Sequence, residues 1–231
     1  RCWALGLAHR FGKSFQPTFH AERLTDPSHW RRPRRVLVSF TGDLFDPNIL
    51  DEQITEVFTA MHAHPRHRYV ILTKQAERLP QWFKWLHTLH GRASWVRAAC
   101  GTPAAGTDAP HQFPHWVGCS ISNQRDADTR IPHLRRFPAA VRWLSVEPML
   151  APIDLSPLRF HLTPPGHDGI NLVVVGCESG PGARLMELDW ARALRSDCQM
   201  TGALLYIKQA HIDRKLVKHP YLDGVQHLEL P

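Results

Sequence analysis

The 231-residue sequence has no long apolar run, which argues against a protein with membrane-spanning helices. No uninterrupted apolar stretch approaches the ~20 residues that a membrane-spanning helix requires. The first residues also lack the charged and then apolar pattern of a secretory signal peptide. Hydrophobic residues make up 43% of the chain and charged residues 21%, as in an ordinary globular protein. We therefore expect a cytoplasmic protein with no membrane contact.

Cysteine is scarce and follows no recognisable pattern. The five cysteines are widely separated, at positions 2, 100, 119, 177 and 198. An odd number at this spacing argues against a disulfide framework. Cys119 and Cys177 stand in apolar strand contexts, where a free cysteine usually behaves as a small hydrophobic residue. The 16 histidines show neither HExxH nor paired-cysteine spacing, so they predict no metal site.

Acidic residues are outnumbered by basic ones. The chain has 28 Lys and Arg against 21 Asp and Glu, a formal net charge of +7. Such a balance fits an anionic partner, and nucleic acid is the commonest one. Much of the excess stands in Arg31-Arg32-Pro33-Arg34-Arg35, directly before a predicted strand. A solvated turn is the alternative interpretation of that segment.

Short β-branched runs alternate with helical patterns along the chain. Strands are predicted to begin near residues 36, 69, 116, 141, 172 and 204. Helices are predicted over residues 3–11, 76–89, 125–136 and 189–200, and from residue 51 onward. Alternation at a spacing of about thirty residues predicts parallel strands joined by right-handed crossovers. Both an open doubly wound sheet and a (βα) barrel satisfy this pattern.

The predicted domain organisation is one α/β domain over residues 1–231. Residues 91–115 are rich in Ala, Gly and Pro and lack a clear period, which favours a flexible surface insertion there. The chain begins with Arg1-Cys2 rather than methionine and enters a helical pattern at once. We therefore expect an N-terminal segment to be missing.

Polar residues stand at the ends of nearly all predicted strands. In parallel α/β folds these carboxyl ends lie on one face, where ligand sites gather. Each residue also has a structural alternative, because Asp43 could accept backbone N–H bonds in its turn and the lysines could simply reach solvent. The candidate residues of this face are Asp43, Lys74, Ser120, Ser122, Asn123, Glu147, Glu178, Ser179, Gly180, Lys208 and Gln209.

The most informative stretch is the apolar run 172–175 with the glycine-rich sequence that follows it. The β-branched run predicts a strand buried on both faces, and a helical pattern resumes from Asp189. Gly176-Cys177-Glu178-Ser179-Gly180-Pro181-Gly182-Ala183-Arg184 offers a carboxylate, a hydroxyl, a guanidinium and approachable backbone. It matches neither the phosphate-loop pattern nor GxGxxG. The loop predicts a ligand site without naming the ligand, and Arg184 either contacts that ligand or braces the loop by pairing with a carboxylate.

A set of short segments, spread over nearly the whole chain, carries a resemblance to a known family. The segments are Cys2-Trp3-Ala4, His9-Arg10-Phe11, Pro17-Thr18-Phe19-His20, Glu22-Arg23-Leu24, Asp43-Leu44-Phe45, Leu72-Thr73-Lys74, Ser145-Val146-Glu147-Pro148, residues 176–184, Lys208-Gln209 and Leu222-Asp223-Gly224. Taken in order, they resemble an uncharacterised phage-associated protein family that carries a three-cysteine, radical-SAM-like motif. The Glu-Ser-Gly-Pro-Gly-Ala-Arg loop and the Glu-Pro strand end are the most specific parts of the resemblance.

The resemblance implies a partial TIM-type barrel of the radical S-adenosylmethionine class. In that class three cysteines hold a four-iron iron–sulfur cluster, and S-adenosylmethionine binds the remaining iron. Cys2 would be the last of the three, with the first strand and the other two cysteines upstream of Arg1. We therefore expect that this fragment cannot assemble the cluster, and the substrate is not predicted.

The resemblance also gives the strand-end residues their expected roles. Glu147 and Glu178 would hold the amino or ribose groups of the cofactor, and Ser120, Ser122 and Asn123 its ribose or carboxylate. The rest of the cavity would be lined by Asp43, Lys74, Ser179, Gly180 and Lys208. The alternative function is a non-catalytic basic protein associated with nucleic acid. An ordinary hydrolase or lyase is not favoured, because no nucleophile with a nearby base is recognisable.

Overall fold

A computed structural model describes residues 3–12, 16–100, 108–157 and 169–231 of the chain. The chain divides into two compact units, Arg1–His111 (unit 1) and Gln112–Pro231 (unit 2). Cys2, the predicted cluster ligand, lies outside the described residues. No helix among the described residues has the length and apolar character needed to cross a membrane.

Unit 1 contains two parallel strands and a layer of helices. Its elements are α1 (Trp3–Arg10), a 3-10 helix (Ala21–Thr25), α2 (Asp26–His29), β1 (Arg35–Val38), α3 (Asp51–His62), β2 (Arg68–Thr73), α4 (Arg78–Leu86) and α5 (Leu89–Cys100). In the pairing of β1 with β2, Arg35 lies opposite Arg68. The core forms because α3 presents Ile54, Phe58 and Met61 on one face, and Phe58 packs on Trp82 of α4 with ring centroids 4.4 Å apart.

Unit 2 contains four parallel strands, with a helix between β3 and β4 and another between β5 and β6. Its elements are β3 (Phe113–Ser120), α6 (Gln124–Arg135), β4 (Ala139–Val146), β5 (Leu172–Gly176), α7 (Leu188–Thr201), β6 (Leu204–Ile212), β7 (Lys215–Lys218), β8 (Tyr221–Leu222) and β9 (Val225–Gln226). The strand order is β3-β4-β5-β6-β7, with β7 antiparallel. The predicted mixed α/β class and the six predicted strands are thereby confirmed. The barrel and the single domain over residues 1–231 stay predictions.

One face of the parallel strands in unit 2 is apolar toward the strand ends. Register places its side chains opposite one another, and all of them are buried. These residues are Cys119, Leu144, Val146, Val173, Val175, Leu205 and Ile207. Nearer the start of the strands, Val117 on the same face lies opposite Arg142, which is also buried. The other face carries Ser120 and Ser145, which lie opposite each other. The sheet therefore separates a hydrophobic face from a face with polar groups near the strand ends.

The predicted flexible insertion over residues 91–115 is wrong at both of its ends. Helix α5 extends to Cys100, and β3 begins at Phe113. The helix was missed because the residues it buries are mostly small, which gives a weak apolar stripe. A Cβ at Gly91 would lie 2.3 Å from the carbonyl oxygen of Trp85, so this helix contact requires glycine. Residues 101–107 of the segment lie outside the described residues.

Two hairpins at the end of unit 2 were also not predicted. Asp213 and Arg214 connect β6 to β7 with φ of 48° and 62°, and Asp223 and Gly224 connect β8 to β9 with φ of 52° and 84°. Positive φ at both central residues is the geometry of a two-residue hairpin, and Asp-Gly is its strongest sequence signal. Strand β7 pairs along the second half of β6 and covers backbone that an edge strand would expose.

We predict that Gly118→Ala destabilises unit 2. A Cβ at Gly118 would lie 2.6 Å from the Trp143 indole and from the Trp143 carbonyl oxygen. Overpacking of this kind costs about 1–3 kcal/mol, and the clash with backbone cannot be relieved by a side-chain rotation. The control is Gly42→Ala, because a Cβ there meets no atom within 4 Å. Urea unfolding should give a lower midpoint for Gly118→Ala alone, and equal midpoints would contradict the packing described.

Candidate functional site

The carboxyl ends of β4, β5 and β6 bring Glu147, Gly176 and Lys208 together. Glu147 directly follows β4, and Gly176 is the last residue of β5. Lys208 lies within β6, and its Nζ is 2.9 Å from Oε1 of Glu147. The side chain of Glu147 is 23% exposed and that of Lys208 is 54% exposed. The ion pair therefore lies at the rim of unit 2, where solvent or a ligand can reach it.

A β-bulge in β6 sets the direction of the Lys208 side chain. Val175 of β5 lies opposite Ile207, but the next residue, Gly176, lies opposite Gln209. Lys208 is therefore the extra residue, and such a residue bends the strand and redirects its side chain. Ile207 before it and Ala210 beyond it are both buried. The bulge thus leaves one exposed cation between apolar positions.

Gly176 makes room for the Glu147 carboxylate. A Cβ at position 176 would lie 2.6 Å from Oε1 of Glu147, closer than real Cβ contacts allow. The hydroxyl of Ser145 donates to the other carboxylate oxygen, Oε2, at 3.3 Å. Ser145 is buried and precedes Glu147 by two residues, so both side chains leave the same face of the strand. One carboxylate oxygen is thereby held by Ser145 and the other by Lys208.

Backbone hydrogen bonds fix the edge around this pair. The N–H of Met149 donates to the carbonyl of Gly176 at 2.9 Å, and the N–H of Leu150 donates to the carbonyl of Ser122 at 3.0 Å. The chain that follows Glu147 is therefore bonded to both neighbouring strand ends. Gln209 and Cys177 exchange two further bonds, at 2.8 and 3.1 Å. Side chains held by such an edge are preorganised for binding.

Glu178 and Arg184 close the glycine-rich loop on itself. Oε2 of Glu178 accepts from the backbone N–H and the Nε of Arg184 at 2.8 and 2.9 Å, and Oε1 accepts from Nη2 at 2.9 Å. These hydrogen bonds lower the pKa of Glu178 to about 2. Gly180 and Gly182 have φ of 97° and 71°, which allows the chain to turn back. Arg184 therefore braces the loop, which was one of its two predicted roles, while Ser179 and Gly180 are exposed at its tip.

The predicted site residues after β3 hold the start of α6. Asn123 is the N-cap, and its side-chain oxygen accepts from the N–H of Asp126 at 3.0 Å. The N–H of Ser122 donates to the Asp126 carboxylate at 3.0 Å. Ser120 is buried, and its carbonyl accepts from Arg130 at 2.6 Å. These contacts are structural, and the expected cofactor roles of the three residues stay predictions.

Asp43 and Lys74, the two predicted site residues of unit 1, are joined by a hydrogen bond from a backbone N–H to a side chain. The carboxylate of Asp43 accepts from the N–H of Phe45 at 3.0 Å and from the N–H of Lys74 at 2.8 Å. Asp43 thus stabilises its own turn, which was the structural role considered for it, and also links the segment after β1 to the segment after β2. The Lys74 residue is exposed. Their cofactor roles stay predictions.

Sequence reasoning missed Ser145 and the bulge at Lys208. The spacing Ser145-Val146-Glu147 was a usable signal for Ser145, because alternate residues of a strand share a face. No sequence signal marked the bulge, since it depends on the register between β5 and β6. The pairing of Glu147 with Lys208 could therefore not be derived from the chain alone.

We predict that Glu178 stays ionised far into the acid range. Because its folded-state pKa of about 2 lies below the usual 4.5, the pair with Arg184 stabilises the loop above pH 4.5 and is lost as the pH falls through about 2. In Arg184→Gln the pKa should rise toward 4.5. NMR of the Glu178 carboxyl carbon should show no titration above about pH 3 in the native chain and a clear one in the variant.

The control for this titration is Arg192→Gln. This variant removes an exposed arginine that pairs with Asp189 and Asp223, not with Glu178. The Glu178 signal should be unchanged in it. Titration of Glu178 near pH 4.5 in the native chain would show that the bracing pair does not form.

Comparison with known proteins finds a match to a protein family. The family model carries the description "Protein of unknown function (DUF5131)" and matches residues 1–231. No match was found among curated proteins or among solved structures. The expected membership of an uncharacterised family is confirmed. The family description names neither a radical-SAM motif nor a phage association, so both stay predictions. Because the family model covers the whole chain, the protein belongs to the DUF5131 family.

Proposed function

We propose that the edge formed by Glu147, Gly176 and Lys208 binds S-adenosylmethionine through its zwitterionic amino-acid group. The observation that carries this proposal is the ion pair between Glu147 and Lys208, 2.9 Å long and open to solvent at the rim. An amino acid carries an ammonium and a carboxylate on the same carbon. Its ammonium complements the Glu147 carboxylate, and its carboxylate complements the Lys208 ammonium.

The energetic balance supports exchange of the internal pair for a ligand. An exposed ion pair contributes only about 0–1 kcal/mol, so opening it costs little. Hydrogen bonds to charged groups in a held geometry contribute more, about 1.5–3 kcal/mol each. Ser145 keeps the Glu147 carboxylate oriented when Lys208 turns to the ligand. Gly176 lets the Glu147 carboxylate lie against the end of β5, so the carboxylate stays at the rim where a ligand can reach it.

Three of the four described cysteines, Cys119, Cys177 and Cys198, do not fit the iron–sulfur cluster that the resemblance implies, because they are buried. Such a cluster is held by thiolates, and burial raises the pKa of Cys119 and Cys198 to about 12 and raises that of Cys177 as well. The part of the chain that the structure describes contains no group of three His, Cys, Asp or Glu side chains that could hold a metal ion. Cys2 remains the proposed residual ligand. The proposed function is therefore ligand binding, and no reaction step is assigned.

The relation to radical S-adenosylmethionine proteins belongs to the same proposal, as do the partial barrel and the phage association. These parts of the proposal are supported by the two most specific motifs of the resemblance. The Glu-Pro motif supplies the carboxylate of Glu147 at the rim, and the glycine-rich motif forms the loop that is closed by Glu178 and Arg184. The parallel order of the strands within each unit agrees with a barrel of that class. Glu178 is already engaged by Arg184, so we assign the ligand ammonium to Glu147.

We predict that the Glu147→Gln and Lys208→Gln variants weaken S-adenosylmethionine binding by about ten- to a hundredfold. Each removes one charge-assisted hydrogen bond to the ligand, and every 1.4 kcal/mol changes the affinity tenfold. Isothermal titration calorimetry measures the effect directly. The matched control is Lys218→Gln, which removes an exposed lysine of β7 and should leave the affinity unchanged.

A second ligand separates the amino-acid group from the nucleoside. 5′-Methylthioadenosine has the adenosine part but lacks the ammonium and the carboxylate. It should bind the native chain no better than S-adenosylmethionine binds Glu147→Gln. Equal binding of the two ligands, or unchanged affinity in both site variants, would contradict the proposed function.

A further inference from the structure

We propose that the amino ends of β1 and β2 form a binding surface for the phosphate backbone of a nucleic acid. The surface consists of six arginines, called here the basic surface: Arg31, Arg32, Arg34, Arg35, Arg66 and Arg68. All six residues are exposed. It is a different site from the strand-end edge of unit 2, and its partner is a polyanion rather than a small zwitterion.

The charge of the chain is concentrated in the unit that carries this surface. Unit 1 has 15 Lys and Arg against 9 Asp and Glu, a formal net charge of +6, and unit 2 has 13 against 12, a net charge of +1. Nearly the whole net charge of +7 therefore belongs to unit 1. The six arginines of the basic surface equal that excess in number.

Strand pairing assembles the surface from two separate parts of the sequence. Residues 31–34 precede β1, which begins at Arg35, and Arg66 stands two residues before β2, which begins at Arg68. In the parallel register Arg35 lies opposite Arg68, and the N–H of Arg68 donates to the carbonyl of Arg34 at 2.8 Å. The arginine run is thereby widened by residues more than thirty positions away. This argues against the simple solvated turn that its sequence also allowed.

A buried histidine anchors the backbone beneath the surface. His67 accepts the N–H of Arg34 at Nδ1, 3.2 Å away, and its Nε2 donates to the carbonyl of Pro27 at 3.0 Å. Nη2 of Arg66 donates to the carbonyls of Pro27 and Ser28, at 3.3 and 3.2 Å. The segment from Pro27 to Arg34 is thus fixed onto β2. Arginines on fixed backbone lose less entropy when they bind.

Four carboxylates in the described part of unit 1 form ion pairs with cations other than Arg31 and Arg32. Asp26 pairs with Arg23, Asp51 with Arg78, Glu52 with His90 and Glu22 with His20. Among the described residues, neither Arg31 nor Arg32 makes an ion pair with a carboxylate. Their guanidinium groups can therefore engage an external anion without first breaking an internal pair.

Arginine chemistry favours phosphate as that anion. The planar guanidinium donates two parallel hydrogen bonds to one phosphate, and closely spaced arginines match successive phosphates of a strand. Arg34 lies over the Trp30 ring, with Cζ 5.2 Å from the ring centroid, which adds an aromatic side chain beside the cations. Arginines and aromatic rings together are typical of surfaces that bind single strands. A membrane surface is less suited, because stable attachment is strengthened by apolar side chains of an amphipathic helix, and α2 beside the surface has only four residues.

The test is fluorescence anisotropy of labelled single-stranded DNA and RNA oligonucleotides titrated with the full chain across a salt series. We expect binding that weakens as salt rises, with log–log slope about −0.7 for each phosphate neutralised. The double variant Arg31→Gln/Arg32→Gln should raise the Kd at least tenfold at low salt and make the slope shallower by about 1.4. Neither residue makes a described side-chain contact, so the fold should be retained, which circular dichroism checks.

The matched control is Arg125→Gln/Arg136→Gln, which removes the same charge from exposed positions of unit 2. It should leave both the Kd and the salt slope close to those of the native chain. An equal loss in the two double variants would show a nonspecific charge effect and overturn the proposal. Binding to anionic lipid vesicles without binding to either oligonucleotide would overturn it as well. Failure of S-adenosylmethionine binding would leave this result untouched, since the two sites share no residue.

Discussion

Parallel pairing of β3, β4, β5 and β6 is the constraint on which the polar edge of unit 2 depends. It places four strand ends at one edge and buries the apolar side chains beside them. Within this frame the register alone decides which polar residues can meet. Glu147 reaches Lys208 because β5 between them ends in a glycine and β6 carries one extra residue at the same level.

Most strand-end polar groups in the described part of the chain serve the structure itself. Asp43 holds two backbone N–H groups, Asn123 caps α6, and Glu178 is held by Arg184 in the glycine-rich loop. The pair of Glu147 with Lys208 differs, because it joins two side chains at the rim and closes no turn or helix. A polar contact without a local structural role is the strongest reason to assign this edge to a ligand.

Local pattern was sufficient for much of the fold but not for contacts across long sequence separations. The β-branched run 172–175 predicted β5 correctly, because buried parallel strands are apolar on both faces. Helix α5 was missed since Trp95 is the one large residue that it buries, and its other buried positions, Gly91, Ser94 and Ala99, carry little apolar signal. The ion pair at Lys208 needed the bulge, and the basic surface needed the register of β1 with β2. Both arise from strand pairing, which composition and periodicity do not encode.

The central claim is that the edge of β4, β5 and β6 is a ligand site. The most direct measurement is the ¹H–¹⁵N NMR spectrum of the protein titrated with S-adenosylmethionine. Binding at this edge predicts the largest shifts for the backbone amides of Met149, Gly176, Cys177 and Gln209, because these groups fix the edge around the ion pair. Shifts confined to other parts of the chain, or a spectrum unchanged by the ligand, would contradict the claim.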